Sequence, residues 1–226
     1  MSLPHSGSGD VDVDGFILAG GQSSRMGQDK ALIQLAGTPL IQRALAILRA
    51  ASLNPRIAGT KSDLGSWAPA VPDDLNESGL GPLSGVCSAL SFTSARYSVF
   101  LPVDLPFMPS SLITHLLHQA AIAQPAVTTV SIAGFIQTFP AVVHRATLPA
   151  LQSSLRSNDR NCLRAFREAA DALSKPFSVL PVELLLQAGQ VSHPQGFPGP
   201  LWFLNVNSRQ DLSRAESLLA RYLQVS

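Results

Sequence analysis

Short apolar runs and segments with helical periodicity take turns along most of this chain. Residues 16–18 form an apolar run that ends in Ala-Gly-Gly, the pattern of a buried strand that leads into a turn. Apolar residues at helical spacing follow between Leu40 and Leu48, and the alternation recurs as far as a final helix that starts at Ser208. This pattern predicts right-handed βαβ units on a mostly parallel sheet, and hence a Rossmann-like three-layer α/β/α fold.

The predicted elements cover most of the chain. Strands are expected at residues 16–18, 56–59, 97–102, 126–130, 139–143, 177–180 and 201–204, with a short extended piece at 31–35. Helices are expected at 39–51, 84–92, 110–123, 148–155 and 161–172, and from 208 onward. Residues 187–200 are rich in Gly and Pro and lack periodicity, which predicts an irregular surface loop.

The size and composition of the chain are those of a compact globular protein. Hydrophobic residues make up 46% of the 226 residues and charged residues 14%, whereas a disordered chain would contain far fewer apolar side chains. This length suffices for one domain, which we expect at residues 14–226 after a flexible leader at residues 1–13.

Charge and cysteine content narrow the expected partners. A formal net charge of +1 without a block of basic residues disfavours nucleic acid and anionic membranes, so small-molecule partners are expected. Cys87 and Cys162 are far apart and lack the spacing of a zinc site, which fits a reducing cytoplasm. The sequence shows neither an export signal nor an apolar stretch of about 18 residues. We therefore predict a cytoplasmic protein.

The loop after the first strand, residues 20–30, has the chemistry of a phosphate site, although it matches neither standard phosphate-loop pattern. Gly20 and Gly21 permit close backbone approach, so successive N–H groups can converge on an anion. Arg25 and Lys30 add positive charge that would stabilise a phosphoryl group during transfer. On composition alone, a surface turn with two solvated cations explains these residues equally well.

Four sets of motifs occur in a fixed order along the chain. They are Leu18-Ala19-Gly20-Gly21 with Arg25-Met26-Gly27, Asp29-Lys30 and Gly37-Thr38-Pro39-Leu40; Asp73-Asp74 with Gly81-Pro82-Leu83-Ser84-Gly85; LPVDLPF at residues 101–107; and Asn205-Val206-Asn207. In this order and spacing the chain resembles the molybdenum cofactor guanylyltransferases, the MobA-like family of nucleotidyltransferases. The resemblance implies a fold of the nucleotidyltransferase and glycosyltransferase-A type, with a nucleotide half at residues 14–105 and an acceptor half at residues 106–226.

The resemblance also implies a reaction. The enzyme would transfer GMP from GTP to the terminal phosphate of molybdopterin, with or without molybdenum, and release pyrophosphate, with Mg²⁺ as the cofactor. Arg25, Lys30 and Asp104 are then the catalytic candidates, and Asp104 is the metal ligand. Cofactor-delivery proteins and molybdoenzyme chaperones are additional candidate partners.

Further candidates for nucleotide and phosphate binding come from the same motifs. They are Leu18, Ala19, Gly20, Gly21, Lys30, Asp73, Asp74, Gly81, Pro82, Asn205 and Asn207. Counting back from Gly81 favours Asp74 over Asp73 for a contact with the ribose or base, the other being solvated. Residues 81–85 are expected to form a tight entry to a helix where a phosphate can approach the backbone, although packing alone also explains them.

Local sequence leaves alternatives for the polar candidates. Asp104 follows a predicted strand, at the end of an open α/β sheet where ligands bind, and Mg²⁺ prefers carboxylate oxygens. A turn-forming Asp before Leu-Pro is the other interpretation. Asn205 and Asn207 flank Val206 after a predicted strand, so both side chains would point the same way towards metal-bound water or phosphate. Helix-entry chemistry before Ser208 explains them equally well.

Two departures from the family pattern and three competing functions complete the interpretation. The chain has Ala58-Gly59-Thr60 where the family often has a polar Asn, and Phe139 precedes Pro140 where a more polar residue is common. The competing functions are a CTP-using molybdopterin cytidylyltransferase, a sugar-phosphate nucleotidyltransferase and a non-catalytic nucleotide-binding module for cofactor loading. The Gly20-Gly21 pair favours guanine, because the similar cytidylyltransferases typically have Ala-Gly there.

Overall fold

The computed structural model describes residues 12–20, 29–59, 64–71, 81–157 and 161–223. The strands are β1 (Val13–Leu18), β2 (Gln34–Leu35), β3 (Thr38–Pro39), β4 (Arg56–Ala58), β5 (Tyr97–Pro102), β6 (Val127–Ile132), β7 (Phe135–Ile136), β8 (Ala141–His144) and β9 (Phe177–Pro181). The α-helices are α1 (Leu40–Ala50), α2 (Pro82–Phe92), α3 (Ser110–Ala123), α4 (Leu148–Arg156), α5 (Cys162–Ala172), α6 (Val182–Gln187), α7 (Gly199–Trp202) and α8 (Arg209–Leu223). The predicted leader, residues 1–13, lies outside the described residues except for its last two, and Val13 already belongs to β1.

The central sheet is mostly parallel, as predicted. Its strands follow the order β4-β1-β5-β8-β6-β7, and β9 also pairs with β6. β1 runs parallel to both β4 and β5, and β6 runs parallel to β9. β8 is antiparallel to β5 on one side and to β6 on the other, so β5 and β6 themselves point the same way. The carboxyl ends of β1, β5 and β6 therefore lie at one edge of the sheet.

Helices cover both faces of this sheet because successive strand residues point to opposite sides. Phe16 and Phe100 stack on one face, with ring centroids 5.6 Å apart, in a buried cluster with α2, α4 and α5. Ile17 and Leu101, the next residues in each strand, belong to the other buried cluster, which includes residues of α1 and α3. The predicted three-layer α/β/α fold is confirmed.

Residues 201–204, predicted as a strand, are not one. Gly199–Trp202 forms the short helix α7, and Pro200 stands in its first turn, where its fixed φ and missing N–H suit a helix start. The Trp202 indole is fully buried and donates a hydrogen bond to the Phe197 carbonyl at 2.7 Å. The apolar run was ambiguous because a buried helix turn and a buried strand have the same composition over four residues.

Other local differences are small. Residues 31–35, predicted as one extended piece, divide into a 3-10 turn at Lys30–Leu32 and β2. Thr38 and Pro39 form β3, so the predicted first helix starts at Leu40 with Pro39 as its N-cap. The start of α8 is as predicted, since Ser208 and Asp211 share a hydrogen bond of 2.8 Å and the Asp211 N–H donates to the Ser208 hydroxyl. None of the helices in the described ranges has the length and apolarity needed to cross a bilayer.

Of residues 187–200, predicted to be an irregular surface loop, residues 188–198 are irregular, whereas Gln187 ends α6 and Gly199 begins α7. The irregular part does not simply cover the surface. Val191 and Phe197 are buried in the core, and the Phe197 ring packs against Phe107 and against Tyr222 of α8. The His193 imidazole contacts the Phe197 ring edge-on at 4.6 Å and accepts a hydrogen bond from the Gln195 N–H at 3.1 Å. Burial lowers the pKa of His193 from 6.5 to about 4, despite an opposing hydrogen bond with the backbone of Phe107.

The lowered pKa of His193 predicts that the folded protein loses stability in acid. The pKa of His193 is near 6.5 in the unfolded chain and about 4 in the folded chain, so between these values the unfolded state binds a proton that the folded state does not. The free energy of unfolding should therefore fall as the pH is lowered through this window, and it should be unaffected by His193 above it. Urea denaturation of the His193→Gln variant, followed from about pH 4 to about pH 7, should give a flatter profile.

The control for that measurement is His118→Gln, at an exposed position on α3. This variant should keep the acid slope of the original chain. An identical slope in the His193→Gln variant would contradict the assignment of acid sensitivity to the 187–200 segment.

Candidate nucleotide and phosphate site

A cleft opens at the carboxyl edge of the sheet, where β1 and β5 end. Its volume is about 200 Å³, and it is lined by Leu18, Gly20, Lys30, Pro82, Pro102, Val103, Asp104, Phe139 and Asn205. Small-molecule sites commonly lie at this edge of an α/β sheet. Six of the predicted site residues, at positions 18, 20, 30, 82, 104 and 205, therefore line one concave surface.

The Lys30 ammonium connects two polar side chains in this cleft. It lies 2.7 Å from the Asp104 carboxylate oxygen Oδ2, and it also donates to the side-chain oxygen of Asn207. The side chains of Lys30 and Asp104 are each 18% exposed, so their ion pair is partly shielded from water. An ammonium has three N–H donors, and these two contacts leave one for a ligand.

The other oxygen of Asp104 is buried without a hydrogen-bond donor among the described residues. A buried carboxylate oxygen normally has a partner, because removal from water without one is unfavourable. The turn at this point is closed by the backbone, with the Leu105 N–H facing the Pro102 carbonyl at 3.5 Å, and not by the Asp104 side chain. Of the two interpretations of Asp104, this geometry favours a ligand-directed carboxylate over a turn-forming one.

Asn205 and Asn207 follow a helix and a turn, and not the predicted strand, yet their side chains alternate as expected. Val206 is fully buried while both Asn residues are exposed, and the Val206 N–H donates to the Asp104 backbone carbonyl at 3.0 Å. The start of α8 is capped by Ser208 and Asp211, and Asp211 accepts a hydrogen bond from the Asn207 N–H. The Asn207 side chain is thereby available for Lys30.

Three glycines allow the first loop to approach the sheet and α2 closely. A Cβ on Gly20 would overlap the backbone carbonyl of Gly59, and a Cβ on Gly85 would lie 3.1 Å from the Gly59 Cα. Leu18 contributes to both the core and the cleft, whereas the Ala19 side chain is in the core and its N–H donates to the Ala58 carbonyl at 3.1 Å. The Ala58-Gly59 departure thus serves close backbone packing at this point.

The remaining predicted residues divide into two groups. Gly81 precedes α2 with a φ of +96°, a conformation that glycine adopts without strain, and Pro82 is in the first turn of the helix. For residues 81–85, packing explains Gly85, because a Cβ there would crowd the Gly59 backbone. Pro82, in contrast, also lines the cleft. Gly21, Arg25, Asp73 and Asp74 lie outside the described residues.

Sequence reasoning missed three residues that line the cleft: Pro102, Val103 and Phe139. Pro102 and Val103 belong to the LPVDLPF motif, and their place at the end of β5 was sufficient to find them. Phe139 lies just before the antiparallel strand β8, and its position depends on the pairing of β8 with β5, which is about 40 residues away in sequence. Its ring also makes an edge-on contact with Phe166 of α5, with centroids 6.0 Å apart.

Comparison with known proteins identifies the family. The family model of the MobA-like NTP transferase domain matches residues 15–173. The chain belongs to this family. A molybdenum cofactor guanylyltransferase from Rhodobacter capsulatus is 32% identical over 219 residues, covering 92% of this chain and 96% of that protein. One from Serratia proteamaculans is 32% identical over 170 residues, covering 74% of this chain and 85% of its own length. The predicted family and the nucleotidyltransferase class are confirmed.

Solved structures confirm the fold class. Molybdopterin-guanine dinucleotide biosynthesis protein A from Archaeoglobus fulgidus superposes with a TM-score of 0.73 at 20% identity, covering 92% of this chain and 99% of that one. The 2-C-methyl-D-erythritol 4-phosphate cytidylyltransferase from Thermus thermophilus gives 0.60 at 17% identity, covering 91% and 98%. This MobA-like chain therefore has a fold that is shared by nucleotidyltransferases named for different nucleotides.

The glycine contact at the first loop gives a prediction. Gly20→Ala should destabilise the protein by about 3 kcal/mol, because the added methyl group must displace the Gly59 backbone. Gly37→Ala is the control: Gly37 has a φ of +77°, but nothing lies within 4 Å of the position that an added methyl group would take, so only conformational strain of about 1 kcal/mol is expected. Equal losses in chemical denaturation would contradict a steric role for Gly20.

Proposed function

We propose that this MobA-like chain transfers GMP from GTP to the terminal phosphate of molybdopterin, with or without bound molybdenum, and releases pyrophosphate. The observation that carries the proposal is the group formed by Lys30, Asp104 and Asn207, of which Lys30 and Asp104 line the cleft at the carboxyl edge of the sheet. The curated relatives from Rhodobacter and Serratia are named for guanylyl transfer to the molybdenum cofactor.

The chemistry needs alignment and charge neutralisation more than it needs a strong base. A phosphate monoester has a second pKa of about 6, so the acceptor phosphate is already an anionic nucleophile near neutrality. Its oxygen forms a bond to the α-phosphorus of GTP while the bond from that phosphorus to the bridging oxygen breaks, and the electron pair leaves with pyrophosphate. The enzyme therefore has to hold two polyanions in line.

Lys30 supplies a fixed positive charge for this alignment. Its Nζ is held by Asp104 and Asn207, so the ammonium is ordered before the nucleotide binds and loses little freedom on binding. Its remaining N–H would donate to a phosphate oxygen of GTP. Arg25, which lies outside the described residues, is proposed as the second cation on the same loop.

The polar groups at Asp104 fit a magnesium ion. The unpaired buried Oδ1 is a hard oxygen donor, and Mg²⁺ commonly takes one or two carboxylates and completes its shell with phosphates and water. No group of three or more metal-binding His, Cys, Asp or Glu side chains is found among the described residues, so substrate phosphates would supply much of the shell. When bound, Mg²⁺ would neutralise negative charge on the transferring phosphate.

The substrates divide between the two predicted halves of the chain. GTP is proposed to lie along the first loop and Pro82, with Asp74 or Asp73 contacting the ribose or base. Phe139, from the second half, presents an apolar aromatic ring at the same cleft, and a flat ring of this kind suits a heterocycle of either substrate. Proteins that deliver the pterin or receive the dinucleotide cofactor are proposed as partners.

Asp104→Asn tests the metal assignment. The amide keeps the size of the side chain but removes its charge, so Mg²⁺-dependent pyrophosphate release from GTP and molybdopterin should fall by roughly 100-fold or more. Asp171→Asn, at an exposed position on α5, is the matched control and should retain the original rate. Unchanged turnover of Asp104→Asn across a Mg²⁺ titration would contradict the proposal.

The nucleotide and the acceptor are tested with the unmodified chain. Pyrophosphate release is measured with GTP, CTP, ATP and UTP in turn, each with and without molybdopterin. Release with GTP that depends on molybdopterin is expected. A preference for CTP would instead indicate a cytidylyltransferase, GTP turnover with a sugar phosphate in place of the pterin would indicate a different acceptor, and binding of GTP without release would indicate a non-catalytic module.

A further inference from the structure

Three separate segments bring four basic side chains to the sheet edge opposite the cleft. Arg96 immediately precedes β5, and Lys175 lies two residues before β9. His144 ends β8, which is antiparallel to β5, and the two strands place His144 directly beside Tyr97. Arg145 follows His144 directly, and its backbone N–H donates a hydrogen bond to the Arg96 carbonyl at 2.9 Å. The direction of each strand therefore gathers these side chains at one edge, although they span 80 residues of sequence (175 − 96 + 1).

These basic side chains form no ion pair with the described carboxylates. Within the described ranges, no carboxylate lies within 4 Å of Arg96, His144, Arg145 or Lys175, since the ion pairs found there are Lys30–Asp104 and Arg56–Asp14. Arg96 and Lys175 are instead ordered by neutral groups of one residue. Arg96 donates to the Gln124 side-chain oxygen at 2.7 Å, and Lys175 donates to the Gln124 backbone carbonyl at 3.3 Å.

The histidine in this group has a defined orientation. Its Nδ1 accepts a hydrogen bond from the Ala146 N–H at 3.0 Å, so the neutral ring carries its proton on Nε2. The ring is fixed against Tyr97 in an edge-on contact at 4.9 Å. Burial lowers the pKa of His144, and the charges of Lys175 and Arg96 lower it further. The same positive potential that disfavours protonation would attract an anion.

A surface pocket of about 570 Å³ lies against these side chains. It is lined by Ser94, Arg96, His144, Arg145, Ala146, Leu148 and Pro149. We propose that this pocket binds the phosphate group of a small phosphorylated molecule, with the two guanidinium groups and the His144 Nε2–H as donors. Guanidinium groups present paired N–H donors that match phosphate oxygens, and the Ser94 hydroxyl offers one more donor. We name this set, residues 94, 96, 144 and 145, the rear anion site.

The rear anion site is separate from the nucleotide cleft. Arg96 lies before the first residue of β5 and Asp104 lies beyond its last, so the length of a six-residue strand intervenes. A strand rises about 3.3 Å per residue, which places the two sites roughly 20 Å or more apart. A phosphate bound at the rear anion site is therefore distinct from the phosphates of the proposed transfer reaction.

Proton NMR of the full-length protein tests the site, with inorganic phosphate as the probe. An anion beside the imidazole favours its protonated form, so saturating phosphate should raise the titration midpoint of His144 by about half a pH unit or more. Sodium chloride at matched ionic strength should not reproduce this change, since screening lowers the repulsion from all charges without adding a bound anion. Because the readout is the His144 resonance itself, phosphate that binds in the nucleotide cleft does not interfere. Pyrophosphate and glycerol phosphate, run as separate arms, distinguish a free inorganic ion from a phosphorylated metabolite.

Substitutions provide the second test. Arg96→Gln with Arg145→Gln should weaken phosphate binding at His144 by about tenfold or more, which is roughly 1.4 kcal/mol. Arg49→Gln with Arg156→Gln removes the same net charge from exposed positions on α1 and α4, and should leave the affinity within about twofold. Arg145→Glu alone is added because Arg145 is exposed, lines the pocket and has no side-chain ion pair with any residue that the structure describes, so reversal of its charge does not threaten folding. A His144 response that never saturates, or that survives Arg145→Glu, would overturn the proposal.

Discussion

The Lys30 ammonium ties together three segments that the chain brings from far apart. Its partners are 74 residues away at Asp104 and 177 residues away at Asn207. The ion pair is partly shielded, so its attraction is stronger than that of a surface pair, and neither partner could leave without exposing a charge to a less polar environment. Lys30, the end of β5 and the segment before α8 are therefore fixed relative to one another before any substrate binds.

Close packing of backbone against backbone also holds Gly20, at the start of the first loop, in place beside the sheet. Gly20 and Gly85 both approach Gly59, so the first loop, β4 and α2 meet without side chains between them. The hydrogen bond from the Ala19 N–H to the Ala58 carbonyl continues the β1–β4 ladder to this point. A polar side chain at position 58 would enter a fully buried site. The departure from the family's usual Asn is thus compatible with a tight loop, and any base contact supplied by that Asn in relatives has to come from another residue here.

Sequence pattern was sufficient for the parts of the structure that rest on local periodicity or on motifs at strand ends. The bounds of β5 and α3 agree with the predicted ones residue for residue, because each combines a long apolar pattern with clear boundary residues. Asp104 and Lys30 were found because they follow known strand and loop motifs, whereas Phe139 was not, because its place depends on how an antiparallel strand joins the sheet. The prediction for residues 201–204 failed for another reason: Trp202 is buried by contacts with Phe197 and His193 in the irregular loop just before it, and such contacts leave no periodic pattern in the sequence.

The two edges of the sheet carry different sets of charged side chains, because the direction of each strand decides which of its ends lies at which edge. At the carboxyl edge, Lys30 pairs with the Asp104 carboxylate, whose other oxygen has no donor among the described residues, an arrangement able to hold both a cation and a phosphate. At the amino edge, two arginines, a lysine and a histidine come together and are ordered by Gln124 and Tyr97 rather than by acids. Mutual repulsion makes such a group unfavourable unless solvent or a bound anion offsets it. A protein with a formal net charge of only +1 has nearly as many acidic as basic residues, yet within the described part of the chain none of the acids forms an ion pair with these side chains. The uncompensated charge at the rear anion site is therefore a local property, and it is the reason to expect a ligand there rather than a general affinity for anions.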